Sequence, residues 1–365
     1  DAITLASDGT CTANITNKSN RNLIINGAML VAQRGTSSTS SGYQTIDRFQ
    51  TGVSGLDENP TTEQADVSSG TTPYTLGFRK SYKLTNGNQT GGAGDSDRLE
   101  IQYLVEARDL ANSGWNYTSA SSFITLSFWI KSSVAQAFFV RLQTQDGTQY
   151  RYKTSTGSLS ANTWTKITKT VPGDSNLQFD NNGGAGLRIS FYAFAGTNYS
   201  DSSATETWAA NQGGNRTNDM TSTWFTTNDA TLEITGVQLE VGDTATDFEH
   251  RPWSTERRLC QRYYQKYTNP KLRGVRGAGN TDCHRMGMPL LVEMRADPSA
   301  TWSGSQNVYD GGGSVTITGI SASYPDPVSF EFDGTISGTF SNGSGAALVA
   351  YTGNNEATLE LGAEL

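Results

Sequence analysis

Cysteine, histidine, charge and long apolar runs are all scarce in this 365-residue chain, and each shortage excludes something. The three cysteines, Cys11, Cys260 and Cys283, are odd in number and scattered over the whole length. That is unlike the dense, even spacing of a disulfide-stapled domain, and it predicts free thiols in a protein assembled in a reducing cytoplasm. With two histidines, His250 and His284, and no CxxC pair, the ligand spacing of a zinc site is missing. No run of eighteen apolar residues occurs, and the opening DAITLASDGTCTANITN has neither the basic nor the apolar region of a signal peptide, so membrane insertion is not expected. Charged residues make up 17% with a net charge of -8, and Lys and Arg are nowhere concentrated, which argues against nucleic acid as a partner. GxSxG, HExxH and P-loop motifs are absent. Hydrolysis would have to rest on two spaced carboxylates, which leave no linear signature.

Glycine, serine, threonine and asparagine are abundant instead, with 39 glycines alone. Short strands joined by polar turns follow from such a composition, and the expected fold class is mainly β. Strands are clearest at Tyr74–Leu84, Arg98–Val105, Phe123–Lys131, Ala137–Gln145, Thr163–Val171, Leu187–Ala195 and Thr231–Val241. Further ones are expected at Met288–Met294, Val315–Ser321, Val328–Phe332, Ala347–Tyr351 and Ala357–Leu361. Gly- and Asn-rich stretches beginning at Asn86, Asp180 and Asn211 read as surface loops, and residues 196–227 form a connection long enough to be functional or disordered. Ile3 and Leu5 before Asp8-Gly9, with Ala13 and Ile15 after it, read as a hairpin too small to bury its own apolar face.

Residues 231–267, TLEITGVQLEVGDTATDFEHRPWSTERRLCQRYYQKY, are the most informative stretch. Apolar side chains fall at Leu232 and Ile234 and then at Val237, Leu239 and Val241, so the period of two slips by one residue. An inserted residue would keep both halves facing the core, which predicts a β-bulge at Gly236. Arg251-Pro252 ends the strand, and Ser254 or Thr255 can cap a helix in which Glu256, Leu259, Cys260, Tyr263, Tyr264 and Tyr267 form one packing stripe.

Together with NLIINGAMLVAQRG at Asn22–Gly35, this segment resembles bacteriophage tail-fibre and related virion proteins that carry a jelly-roll domain similar to carbohydrate-binding modules. The closing GAEL matches the ends of such chains. The resemblance implies an N-terminal attachment segment (residues 1–21), a jelly-roll β-sandwich (22–252), a short linking α-helix (253–268) and a smaller C-terminal β domain (269–365). It also implies a viral structural protein of the virion, made in the host cytoplasm, that is not an enzyme. Its partners would be sister chains in a homo-oligomer, most simply a homotrimer, other virion proteins bound through the N-terminal end, and a bacterial surface polysaccharide in host attachment. Because the chain starts at Asp1 and not at Met, it is expected to be a processed product or the ordered part of a longer polypeptide. The alternatives are a capsid decoration or connector protein with a purely structural role and, in the enzymatic class, a polysaccharide depolymerase.

Strand parity singles out the candidate binding residues. Trp129 lies with Thr125, Ser127 and Lys131 opposite the apolar row of its strand; Phe139 lies with Arg141 and Gln143; Tyr192 and Phe194 lie with Arg188 and Ser190. A sheet face that mixes rings with arginines suits a glycan, whose C–H patches lie on aromatic faces and whose hydroxyls pair with polar side chains. The expected glycan-binding set is Trp115, Tyr117, Trp129, Arg141, Arg188, Tyr192, Trp208 and Trp224, and packing in a subunit interface is the competing use of the same rings. No cofactor is expected, although the resemblance is compatible with a structural Ca²⁺. Asp95, Asp97, Asp174, Asp180 and Asp243 offer oxygens for it without the spacing of a known loop.

Overall fold

The computed structural model describes residues 3–5, 11–13, 20–276, 282–309, 314–338, 347–351 and 357–365. The chain divides into two compact units, residues 1–253 and 254–365.

In the first unit, β1 (Ile3–Leu5) and β2 (Cys11–Ala13) pair antiparallel as the expected hairpin, while its Asp8-Gly9 turn lies outside the described residues. The rest is a sandwich. Its elements are β3 (Ser37–Ser38), β4 (Phe49–Ser54), β5 (Thr61–Asp66), α1 (Thr72–Thr75), β6 (Lys80–Thr85), β7 (Arg98–Glu106), α2 (Ala107–Ala111), β8 (Phe123–Ser132), β9 (Ala137–Thr144), β10 (Tyr150–Ser158), β11 (Thr165–Pro172), β12 (Ala185–Ala195), β13 (Trp208–Ala210), α3 (Thr223–Thr226) and β14 (Thr231–Val241). One six-stranded sheet has the order β13-β10-β9-β12-β7-β4, the other β11-β8-β14-β6-β5-β3, and the chain passes repeatedly from one to the other as in a jelly roll. Alternate residues of each strand point inward. Leu99, Ile101, Tyr103 and Val105 of β7 and Phe138, Val140 and Leu142 of β9 belong to the same buried core as Ile124, Leu126, Phe128 and Ile130 of β8.

Most strands lie where alternation places them, and β14 has the expected bounds. Strands β3, β4, β5 and β13 are additional to those expected, and two further segments differ. The strand expected from Tyr74 begins only at Lys80, because Pro73 at the start of α1 favours a helical turn there. The strand β10, YRYKTSTGS, is not signalled by its sequence, because its outward Arg151 and Lys153 read as solvent-facing residues and yet are buried.

Against β8, the register of β14 shifts between Thr235 and Gln238, and Gly236 has φ +62°; the bulge is present. Leu232, Ile234, Val237 and Leu239 are all fully buried as a result. The NLIING segment is latched to this strand and to the loop that leaves it. Asn22 Oδ1 accepts the Leu239 amide at 3.0 Å, and the Glu249 carboxylate accepts the amides of Asn20 and Asn22 at 2.6 and 2.8 Å. Arg251 donates to the carbonyls of Asn22 and Ile24. The Val237 amide donates to the Gly27 carbonyl at 2.9 Å, and a Cβ at Gly27 would lie 2.0 Å from the Val237 oxygen, so no other residue fits that crossing. The two stretches that carry the family resemblance are therefore a mechanical clasp.

The second unit opens with α4 (Trp253–Gln261) and continues through β15 (Tyr264–Thr268), β16 (Arg273–Arg276), β17 (Asp282–Pro289), β18 (Ser299–Gly304), β19 (Gln306–Tyr309), β20 (Ser314–Pro325), β21 (Ser329–Ser337), β22 (Ala347–Tyr351) and β23 (Ala357–Gly362). The expected helix thus stops seven residues short of 268, since 268 minus 261 is 7. Tyr264 to Thr268, rich in strand-favouring residues, pair in register with β23 instead. Likewise the strand expected at 288–294 lies earlier, at Asp282–Pro289, where it pairs with β21. Six strands close into a barrel in the order β16-β17-β21-β20-β19-β22, and β15-β23-β18 form a separate sheet. Met286, Val308, Ile317, Phe330, Phe332, Leu359 and Leu361 share their buried core. Cys260 and Cys283 are free and buried; the side chain of Cys11 lies outside the described residues. Burial pushes the Cys283 thiol up to about 12, so it stays protonated.

Candidate functional site

The bulge determines what stands on the outer face of the β8 sheet. Trp129 is paired laterally with Lys166 of β11 and with Thr235 of β14, immediately before the inserted Gly236. With no Cβ at Gly236, the rings of Phe78 and Trp129 approach the backbone there. Beyond the bulge, Gln238 and Glu240 point to the same side and hold the return loop. Glu240 accepts the Thr246 amide at 2.9 Å and its hydroxyl at 2.6 Å, and Gln238 accepts the Glu249 amide at 2.8 Å. The loop so fixed presents Phe248 and His250. Phe248 meets Phe78 edge-on at 4.9 Å between centroids, and His250, 5.1 Å from Phe78, hydrogen-bonds through Nε2 to the Leu76 carbonyl at 2.9 Å.

These residues enclose a cleft of about 250 Å³ whose walls are Phe78, Trp129, Phe248 and His250, with Ser127, Lys166, Thr246 and Asp247 supplying polar groups. Its volume is below the roughly 300–1,000 Å³ of sites for drug-sized ligands and suits one or two sugar rings. Aromatic faces beside a cation, a carboxylate and hydroxyls can hold a molecule that has both C–H patches and hydroxyls. Trp129 is the one residue of the expected binding set in this cleft. Phe78, Phe248, His250 and Lys166 were not among them; the period-two placement of Phe248 and His250 in DFEHRP is the one signal that could have pointed to the loop.

Four of the expected binding residues are packing residues. Trp224 is fully buried in the sandwich core and donates its indole N–H to the Thr231 carbonyl at 2.9 Å. Trp208, beside Tyr152 at 5.5 Å, donates to the Pro172 carbonyl at 2.7 Å. Trp115 is buried too, and with Tyr117 it packs around Phe179, the Tyr117 and Phe179 centroids being 4.9 Å apart. The buried rings of Trp115, Trp208 and Trp224 have no face to offer a glycan, so these three assignments are corrected, whereas Tyr117 is half-buried against the same core: hydrogen bonds satisfied inside the fold let large amphipathic rings fill it.

Arg141, Arg188 and Tyr192 do share a face, on the outside of the other sheet, but the chain itself covers it. A strap formed by residues 196–220 crosses β12, β9 and β10. Asp201 accepts from Lys153 Nζ at 2.5 Å, Ser203 accepts from Arg151 at 2.5 Å, and Tyr199 lies under the guanidinium groups of Arg98 and Arg216. Arg141 and Tyr192 are consequently buried and Arg188 half-buried. Burial works against the Asp201 charge, but hydrogen bonds from Lys153 and Ser203 outweigh it and hold the carboxyl below the usual aspartate range. Burial pushes Lys153 down, with Asp201 opposing the shift.

The acids offered for Ca²⁺ do not converge. Asp97, Asp174, Asp180 and Asp243 each accept a hydrogen bond from a residue within three positions, as turn residues do. Among the described residues no three His, Cys, Asp or Glu side chains come together as metal ligands.

No family model and no curated protein matches this sequence. Among solved structures, the chain is similar to the enzymatically active domain of tailspike protein 4 of bacteriophage CBA120, at 11% identity and TM-score 0.32, covering 61% of this chain and 22% of that one. It is similar to a CBM4 module at 11% identity and TM-score 0.30, covering 60% and 98% of the two chains, and to a family 30 carbohydrate-binding module at 12% and 0.27, covering 61% and 88%. Superpositions this loose carry no argument about ligand or role. The sandwich is assigned on its strand order alone.

Proposed function

We propose that the chain is a bacteriophage tail-fibre or appendage subunit, assembled as a homo-oligomer, most simply a homotrimer, that holds a bacterial surface glycan in the Trp129 cleft. The observation that carries this reading is the open cleft itself: the rings of Trp129, Phe248 and His250, backed by the buried Phe78, beside Lys166 and Asp247, on a sheet and a loop locked by the bulge and the clasp. A rigid aromatic platform loses little conformational freedom on binding, which is what a module for weak, repeated contacts needs. Sister chains would multiply one modest affinity into useful avidity, and the N-terminal end would join other virion proteins. The role is binding and not catalysis.

The test is adsorption of the full chain to host cells and to their isolated surface polysaccharide. Trp129→Ala is expected to weaken binding about tenfold or more, as for an aromatic anchor at the centre of a contact, while the oligomer forms normally. Adsorption equal to the parent protein would overturn the site and leave the purely structural role of a decoration or connector protein. Release of reducing ends from the polysaccharide by the purified chain would overturn the non-catalytic reading.

A further inference from the structure

The strap-covered face of the first sheet carries donors that the fold does not use. Register puts Arg141 of β9 beside Ser190 of β12 on one side and Lys153 of β10 on the other, and Tyr192 beside Glu100 and Phe139. Arg141 is only 2% exposed, and its guanidinium contacts the Tyr192 ring at 5.6 Å. Among the described residues it has no hydrogen bond and no carboxylate within ion-pair distance; its Nε is buried and unpartnered, as are Arg188 Nε, the Ser190 hydroxyl and the Tyr192 hydroxyl. Of the carboxylates nearby, Asp201 pairs with Lys153 at 2.5 Å, while the fully buried Glu100 lies 3.2 Å from Arg98 with neither of its oxygens hydrogen-bonded. A buried guanidinium without a partner is strongly unfavourable, and buried polar groups in folded proteins are satisfied by something.

We propose that this face is a second binding site, separate from the Trp129 cleft, for one small oxyanion. Arg141 and Arg188 supply the charge, and the Ser190 hydroxyl supplies a neutral donor. Guanidinium groups match carboxylate and phosphate oxygens in pairs, and three groups that can all donate call for a ligand made of acceptors. Glu100, on the same face, sets the limit: its charge favours an anion held at the Arg188 end, away from Tyr192 and Arg98. The strap over the site is fixed by Asp201 to Lys153 and by Ser203 to Arg151. The oxyanion is either free or is the carboxylate of an acidic sugar.

The test is thermal denaturation of the full chain at constant ionic strength with inorganic phosphate, glucuronate or glucose. Either oxyanion at ten times its dissociation constant is expected to raise the melting temperature by about 3 °C, and glucose to leave it unchanged. A response to glucuronate alone assigns the source as an acidic sugar, and an equal response to phosphate assigns a free oxyanion; both uphold the site. Arg141→Gln and Arg188→Gln should each abolish the rise. Arg141→Gln should also be no less stable than the parent in oxyanion-free buffer, which a purely structural arginine would not allow. If Arg141→Gln does not fold, the half-buried Arg188→Gln carries the test alone. No rise with either oxyanion, or a rise that survives in the folded variants, overturns the proposal. Trp129→Ala should leave the oxyanion response intact, so failure here and failure of the glycan cleft are distinguishable.

Discussion

Gly236→Ala tests whether the bulge builds the cleft. A Cβ at this position would lie 2.7 and 2.9 Å from Cζ and Cε1 of Phe78 and 3.2 Å from Cδ1 of Trp129. Ordinary carbon contacts are about 3.5–4.0 Å, so the buried Phe78 ring would have to move by about 1 Å. Overpacking of that kind costs about 1–3 kcal/mol. The backbone adds a separate penalty, because φ +62° is left-handed and costs a residue with a Cβ about 1–2 kcal/mol. The sum is about 2–5 kcal/mol, or a fall in melting temperature of roughly 4–20 °C. Calorimetry on the full chain reads the stability, and glycan binding reads the cleft, which should weaken because Phe78 and Trp129 are displaced together. Phe78→Leu combined with Gly236→Ala should recover the contact part of the loss and not the backbone part, giving a coupling that a double-mutant cycle resolves. A melting temperature within about 1 °C of the parent, with unchanged binding, would refute both the strain and the link between bulge and cleft.

Residue placement supports two further predictions. Trp224→Ala should cost about 3–5 kcal/mol of stability by opening a core cavity, yet the folded fraction should bind glycan as before; reduced binding per folded molecule would return Trp224 to the site. The Asp201 carboxyl lies below its ordinary pKa in the folded chain, so its support of the strap is complete above about pH 4 and is lost as pH falls through the lower native value. Proteolysis within residues 196–217 should therefore accelerate in acid, and in Asp201→Asn it should already be fast at neutral pH; protection that ignores both changes would refute the pairing with Lys153.

Strands whose two faces differ in polarity were legible in the sequence. The alternation of Leu232 and Ile234 with Val237 and Leu239 announced both a strand and its slip, because the pleat has a strict period of two. The face of Trp129 was legible for the same reason. The company of Trp129 was not: Phe78, Phe248 and His250 lie on separate segments that only the folded β14 and its loop bring together. Residues 196–227 misled in the opposite direction. Trp208 and Trp224 stand in a segment without periodicity and read as exposed rings, but short elements, β13 and α3, turn them into the core. Arg151 and Lys153 hid β10 because a lone chain cannot show that its own later residues, Asp201 and Ser203, will cover them. Local pattern reports the pleat, and the partner across space is what it leaves out.

The strand order has a consequence for copies held side by side. Each sheet of the sandwich tapers at one margin into a strand of two or three residues, β3 and β13. Its other margin is guarded: β11 carries Lys166 and Lys169 and ends on Pro172, and β4 is met by a bridge between Gly42 and Thr51. Free backbone donors and acceptors along a margin invite another chain to add itself as the next strand, and short, charged or occupied margins refuse it. In the second unit six strands close on themselves and have no margin to offer, while the small β15-β23-β18 sheet keeps two. Crowded at high local concentration, the sandwich and the barrel of such molecules can touch through side chains without zipping into a continuous sheet.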